Sequence, residues 1–293
     1  MSLRSFGRTR FAQVYVISVD NLSFGGTGKT PLIIALGKFL EERSVRFAVV
    51  TRGYKSKLEK AGAAVSTEHR VEEVGDEAAI LKKHFPEQEV FVGRDRVRSI
   101  RKATAAQAKV VILDDGFQST HLFKNFRIML VNPGHPYFYL RHFRFLKRRS
   151  ECLLFYRIAP ATKRRTTSGT FDFEWGGFFN KQGKEISISD SPLFVFSAVG
   201  DNERFQRDMA AYRMRGYKAY ADHHPYTRDD LDALEGFRHQ VGAEYLVCTE
   251  KDFVKIGKFA SDAVPLIYVK NKIKLSVDLF EKIWTDARGK SFV

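Results

Sequence analysis

Val14-Tyr15-Val16-Ile17-Ser18-Val19, the loop Ser23-Phe24-Gly25-Gly26-Thr27-Gly28-Lys29-Thr30, and the set Leu32, Ile33, Leu36, Phe39 and Leu40 together decide the fold. The first run is β-branched and aromatic, as a buried strand is. The last set recurs on one face of an amphipathic helix. A glycine loop between strand and helix is the setting of a phosphate-binding loop. Glycines let successive backbone N–H groups turn in towards a polyphosphate, and the helix N-terminus adds partial positive charge. On this reading Ser23, Phe24, Gly25, Gly26, Thr27, Gly28, Lys29 and Thr30 bind nucleotide. Lys29 reaches the β- and γ-phosphates and the Thr30 hydroxyl ligates Mg²⁺. The strict pattern has glycine where Ser23 stands. A plain glycine turn entering a helix is the competing reading, and Gly-Lys-Thr placed between strand and helix argues against it.

Working outward, Phe47-Ala48-Val49-Val50, Glu89-Val90-Phe91-Val92, Val110-Val111-Ile112-Leu113 and Arg127-Ile128-Met129-Leu130-Val131 read as further strands. Residues 55–74 read as irregular, and Gly75-Asp76-Glu77 opens a helix. Strands alternating with helices predict an α/β fold, a doubly wound, mostly parallel sheet with ligands at the carboxyl ends of its strands. The rhythm breaks over residues 160–190, where Phe171-Asp172-Phe173-Glu174-Trp175 alternates like an edge or hairpin strand. Leu193-Phe194-Val195-Phe196, a helix near 202–215, Tyr245-Leu246-Val247-Cys248 and Leu266-Ile267-Tyr268-Val269 then restore it. The expected organisation is a P-loop domain over 1–160, a connecting segment over 161–190 that can form a β-ribbon, and a smaller C-terminal α/β lobe over 191–293.

The 293 residues are 44% hydrophobic with 26 Phe, enough for a real core, and carry a net charge of +15. Such a balance implies anionic partners: nucleotide phosphates, a phosphorylated substrate, an acidic membrane surface or nucleic acid. No recognition module for nucleic acid is present, so none is expected as a partner. Two cysteines, Cys152 and Cys248, give no disulfide framework and no metal-ligand spacing. No apolar run is long enough to cross a bilayer and no signal sequence opens the chain.

Asp114-Asp115 closes an unbroken apolar strand, the position from which a carboxylate holds Mg²⁺ beside a phosphate loop. Arg94 and Arg96 are spaced to point the same way from an extended segment, which suits clamping a phosphate, unless they are ordinary surface charge. Gln118 on the nucleotide side and Arg52 on the substrate side are expected as positioning groups. Over 137–149, Tyr139, Phe143 and Leu146 share one helical face while Arg141, Arg144, Lys147, Arg148 and Arg149 crowd the other. That is the pattern of a segment lying on an anionic bilayer, or of a basic helix packed on its own domain.

Taken in order, these residues resemble the tetraacyldisaccharide 4′-kinase family. The match runs through Asn21 to Pro31, Thr51-Arg52-Gly53-Tyr54, Gly75-Asp76-Glu77, Arg94-Asp95-Arg96 and Asp114-Asp115-Gly116-Phe117-Gln118. It continues through Phe196-Ser197-Ala198-Val199-Gly200, Asp222-His223-His224-Pro225-Tyr226 and Thr249-Glu250-Lys251-Asp252. In that family the first loop position is typically not glycine, which accounts for Ser23. The resemblance implies an ATP- and Mg²⁺-dependent kinase that phosphorylates the 4′-hydroxyl of a tetraacyldisaccharide 1-phosphate, giving lipid IVA in lipid A biosynthesis. It implies a peripheral place at the cytoplasmic face of the bacterial inner membrane.

It also nominates Asp76 as the proton acceptor and His224 or His223 as its partner, the second lobe closing on the first. Without the resemblance Asp76 reads as a solvated helix cap, and the histidines as a loop pair with one packed on Tyr226. Arg94 and Arg96 are assigned to the substrate phosphate or nearby sugar. The family's usual N-terminal apolar or amphipathic helix is not seen ahead of Val14, Asn132-Pro133-Gly134-His135-Pro136 replaces its usual segment, and Ser119 stands where its histidine follows Gln118. The alternative from another class is a non-catalytic P-loop nucleotide switch or metallochaperone-like NTPase, which would keep Lys29, Thr30 and Asp114 and have no use for Asp76 or the histidines.

Overall fold

The apolar run before the glycine loop becomes β1 (Tyr15–Asn21), buried from Tyr15 through Asp20 as a strand covered on both faces is. The computed structural model describes residues 8–21, 28–117, 119–132, 150–156, 167–276 and 278–293. The chain divides into two units, Met1–Asp172 with Ile273–Val293, and Phe173–Lys272.

In the first unit β1 lies between β5 (Val110–Asp114) and β6 (Phe126–Val131), parallel to both. Beyond β5 come β2 (Phe47–Thr51) and β4 (Glu89–Val92), and beyond β6 come β7 (Cys152–Tyr156) and the start of β8 (Thr167–Phe179), all parallel. The two-residue β3 (Ala63–Ala64) alone runs antiparallel, on β4. The parallel, doubly wound expectation is met. Helix α1 (Lys29–Glu41) buries Leu32, Ile33, Leu36 and Leu40, the apolar face read from its spacing. Each such side chain contributes roughly 1.5–3 kcal/mol on burial. Residues 55–74 are more ordered than expected, holding β3 and the short α2 (Val71–Val74) before α3 (Asp76–His84). Helix α4 (Arg96–Ala105) follows β4.

The second unit has the parallel order β11 (Met214–Ala219), β10 (Leu193–Ser197), β12 (Tyr245–Thr249) and β13 (Leu266–Leu275). The end of β8 pairs antiparallel with β9 (Glu185–Ile186). Helices Asn202–Met209, Arg228–Gln240 and Glu250–Ile256 cover this sheet around Phe196, Leu234, Leu246 and Tyr268.

The sequence reading assigns 191–293 wholly to the second lobe, and there the structure differs. Ile273–Val293 belongs to the first unit. Its helix Leu279–Gly289 buries Leu279, Ile283 and Ala287, sets Phe280 5.4 Å from Phe39 of α1, and pairs Glu281 with Arg43 and Asp286 with the Tyr15 hydroxyl. That apolar face has its complement beside α1, which sequence spacing alone does not disclose. No helix among the described residues is long and apolar enough to cross a membrane.

Candidate active site

Because β1, β5, β2 and β4 are parallel neighbours, their carboxyl ends lie side by side, where α/β sheets bind ligands. Gly28, left-handed at φ 90°, caps α1, and Lys29 and Thr30 form its first turn, half-buried. Asp114 ends β5 and is 6% exposed. Its Oδ2 accepts a hydrogen bond from the Thr51 hydroxyl at 3.0 Å, at the end of β2. Its Oδ1 is buried with no hydrogen-bond partner among the described residues. Burial pushes the Asp114 carboxyl up, Lys29 opposes the rise, and Asp115 adds to it. Asp115 itself takes a left-handed conformation, φ 53°, that turns the chain off the strand.

A buried carboxylate oxygen left without a donor costs on the order of 1–3 kcal/mol or more, a cost that a bound cation would remove. Asp114, Asp115 and the Thr30 hydroxyl are hard oxygen donors of the kind Mg²⁺ takes. The residues present fit the ion.

Asp76 is brought to the same end of the sheet by two glycines. Gly53 and Gly75 hold φ 65° and 91°, a region that side chains rarely adopt, and a Cβ on Gly75 would lie 3.5 Å from the Gly53 Cα. The turn after β2 therefore rests against the turn before α3. Asp76 is not the solvated cap of the competing reading. Gly75 is the cap, and Asp76 is the first helical residue, 6% exposed, its Oδ1 accepting from the Glu77 amide at 3.1 Å.

The arginines do not behave as their spacing suggests. Asp95 caps α4 through the Arg98 amide, so Arg94 lies outside the helix and exposed while Arg96 lies inside it and buried. The Arg96 guanidinium donates to the carbonyls of Gly93 at 2.8 Å and Asp114 at 3.1 Å, tying the end of β4 to the end of β5. Its first duty is to the backbone of the site. Arg52 is also engaged, its Nε donating to Glu59 at 2.6 Å and its guanidinium lying 5.3 Å from the Tyr54 ring centre.

In the second unit one residue explains why its sequence blocks occur together. Asp252, fully buried, accepts from the Ala198 amide at 3.1 Å, the Tyr226 hydroxyl at 3.2 Å and the Thr249 hydroxyl at 2.7 Å, with Lys255 Nζ 3.5 Å away. The two histidines separate cleanly. His224 stacks on Tyr220 at 4.6 Å, meets Tyr226 edge-on at 5.0 Å, and shares a 3.1 Å hydrogen bond with Asp230. His223 is exposed, left-handed at φ 61°, with Lys251 Nζ 3.3 Å from its Nε2.

Ser23, Phe24, Gly25, Gly26, Thr27 and Gln118 lie outside the described residues, as does the basic stretch 137–149. Sequence reasoning passed over Asp20. It is 1% exposed at the end of β1, and burial pushes its carboxyl up to about 7. An acid continuing an apolar strand, three residues before the glycine loop opens at Ser23, was the available signal.

A family model described as tetraacyldisaccharide-1-P 4′-kinase matches residues 2–142 and 148–287. Tetraacyldisaccharide 4′-kinase of Desulfotalea psychrophila is 30% identical across 96% of this chain and 89% of its own length. The enzyme of that name from Rickettsia canadensis is 31% identical across 91% of this chain and 84% of its own. The structure of Aquifex aeolicus LpxK in complex with ATP superposes with a TM-score of 0.77 at 24% identity, covering 97% of this chain and 90% of that one, which shows a common fold.

Proposed function

The chain belongs to the tetraacyldisaccharide-1-P 4′-kinase family, an ATP-dependent kinase of lipid A biosynthesis, and from that premise we propose which of its residues carry out the transfer. The acceptor's 4′-hydroxyl oxygen bonds to the γ-phosphorus as the bond from that phosphorus to the bridging oxygen breaks, and ADP departs with the electron pair. The hydroxyl proton passes to the Asp76 carboxylate, general-base help of the kind that phosphoryl transfer uses. Lys29 at the start of α1 neutralises charge on the β- and γ-phosphates, and the loop Ser23–Gly28 holds them through its amides. Asp114, Asp115 and Thr30 would hold Mg²⁺, which when bound spreads the developing phosphate charge. Arg96 keeps the ends of β4 and β5 in register beneath the phosphates, while exposed Arg94 is the arginine left for substrate. The net charge of +15 and the basic stretch 137–149 support an anionic membrane surface as the place of work.

The observation that carries this reading is Asp114: a buried carboxylate with one oxygen held by Thr51 and the other without a donor among the described residues, under the influence of Lys29. Incubation with labelled ATP, Mg²⁺ and tetraacyldisaccharide 1-phosphate in detergent tests it. Lys29→Ala should abolish 4′-phosphorylated product. Asp76→Ala should lower turnover by roughly 10²–10⁴-fold with nucleotide affinity nearly unchanged. Binding of ATP with no transfer to any glycolipid would favour the nucleotide switch, and a matching loss of ATP binding in Asp76→Ala would remove Asp76 as the base.

A further inference from the structure

The end of β1 carries a buried carboxylate that the transfer just described does not use. Asp20 Oδ2 accepts from the Ser18 hydroxyl at 2.6 Å and Oδ1 from the Phe117 amide at 2.7 Å. Both bonds are short, and the second crosses from β1 to the turn that follows β5. That turn is held at other points as well. The Asp115 amide donates to the Val19 carbonyl at 3.0 Å. A Cβ on Gly116 would come within 2.7 Å of the Ser18 hydroxyl and 2.9 Å of the Leu113 Cβ, so the chain passes closer there than a side chain allows. Beyond it Lys124, 7% exposed, donates through Nζ to the Ser119 carbonyl at 2.8 Å. The Ser119 amide returns to the Gly116 carbonyl at 3.0 Å. A buried acid thus holds a donor of the turn at Phe117, and a buried cation holds an acceptor of it at Ser119.

These bonds surround Asp115, the residue held left-handed at φ 53°. A non-glycine residue stays in that region only where its surroundings fix it. We propose that Asp20, oriented by Ser18 and seconded by Lys124, is a positioning residue for the kinase reaction, fixing the turn that presents the Asp114 and Asp115 carboxylates to magnesium-bound nucleotide. The inference rests on the reading of Asp114 and Asp115 as the metal-holding pair. Groups that hold metal ligands in place typically matter by 10–100-fold in affinity or activity. Asp20 would act through the hydrogen bond and not through its charge, because its oxygens are spent on Ser18 and Phe117.

The test is calorimetric binding of a non-hydrolysable ATP analogue across a range of Mg²⁺ concentrations, with melting temperature recorded for every variant. Asp20→Ala, which removes the acceptor, should weaken Mg²⁺-dependent binding by about tenfold. Asp20→Asn keeps a carbonyl oxygen for the Phe117 amide and should restore binding to within about threefold of wild type. Wild-type binding in Asp20→Ala would overturn the proposal, and so would Asp20→Asn losing as much as Asp20→Ala. Should Asp20→Ala not fold, Ser18→Ala serves: a several-fold rise in the Mg²⁺ required supports the proposal, and an unchanged Mg²⁺ titration overturns it. Asp114→Asn is the separate control. If it retains full Mg²⁺-dependent binding, the metal assignment itself fails, whatever the Asp20 variants do.

Discussion

Asp114 and Arg96 meet at one strand end and are used in opposite ways. The acid keeps an oxygen without a donor among the described residues, and the base spends two guanidinium nitrogens on backbone carbonyls. From sequence, both read as ligand-binding charges. The difference is burial, which depends on chain segments far away along the sequence. That Asp114 ends a buried strand was legible, because the four residues before it form an unbroken apolar run. The extended segment expected around Arg96 is the start of a helix, because two arginines around an aspartate look alike until that aspartate is known to cap a helix. His223 and His224 likewise part company only through the aromatic rings around His224.

Asp20 makes a prediction at this scale. Burial comes first among the causes that hold its carboxyl near 7 against an ordinary 3.8, with Asp115 raising it further and Ser18, Lys124 and Phe117 lowering it. The folded protein therefore binds that proton more tightly than the unfolded chain does. The stability this gives is fully present below about pH 4 and is lost as pH rises through about 7. Asp20→Asn carries no such proton. The melting temperature of wild type relative to Asp20→Asn should thus fall by several degrees between pH 5 and pH 8. A difference that is flat or rises across that range in thermal denaturation would refute the burial argument.

At the scale of elements, strands buried on both faces declared themselves and partly exposed ones did not. Val110–Asp114 and Phe47–Thr51 are buried throughout and were read directly. Met214–Ala219 has no fully buried residue and was not read as a strand; the helix expected near 202–215 ends at Met209 and gives way to it. The three C-terminal sequence blocks were recognisable as motifs, but their reason was not, because it lies in one side chain. Asp252 ties the end of β10, the Tyr226 loop and the start of helix Glu250–Ile256 together. Asp252→Ala leaves the Ala198 amide, the Tyr226 hydroxyl and Lys255 without their buried acceptor. Breaking such a site by removing one partner should cost about 3–5 kcal/mol. Urea denaturation read at this unit, with hydrogen exchange over 193–256, checks it. A loss under about 1 kcal/mol would mean that the three segments hold together without Asp252.

At the scale of the whole molecule, the doubly wound sheet follows from a repeated pattern of apolar strand, turn and helix, and it sets the carboxyl ends of β1, β2, β4 and β5 along one edge. What local pattern could not show is that the chain leaves the first unit along β8 and returns along β13, ending on a helix packed beside α1. The account's central claim is that Asp114 and Lys29 at that edge hold the metal and phosphates of ATP. Anomalous diffraction from crystals grown with Mn²⁺ and a non-hydrolysable ATP analogue tests it most directly. The account predicts a manganese peak within coordination distance of Asp114 Oδ1, roughly 2–2.5 Å, with the analogue's phosphates against Lys29. Manganese and analogue bound together elsewhere, with Asp114 Oδ1 untouched, would contradict it.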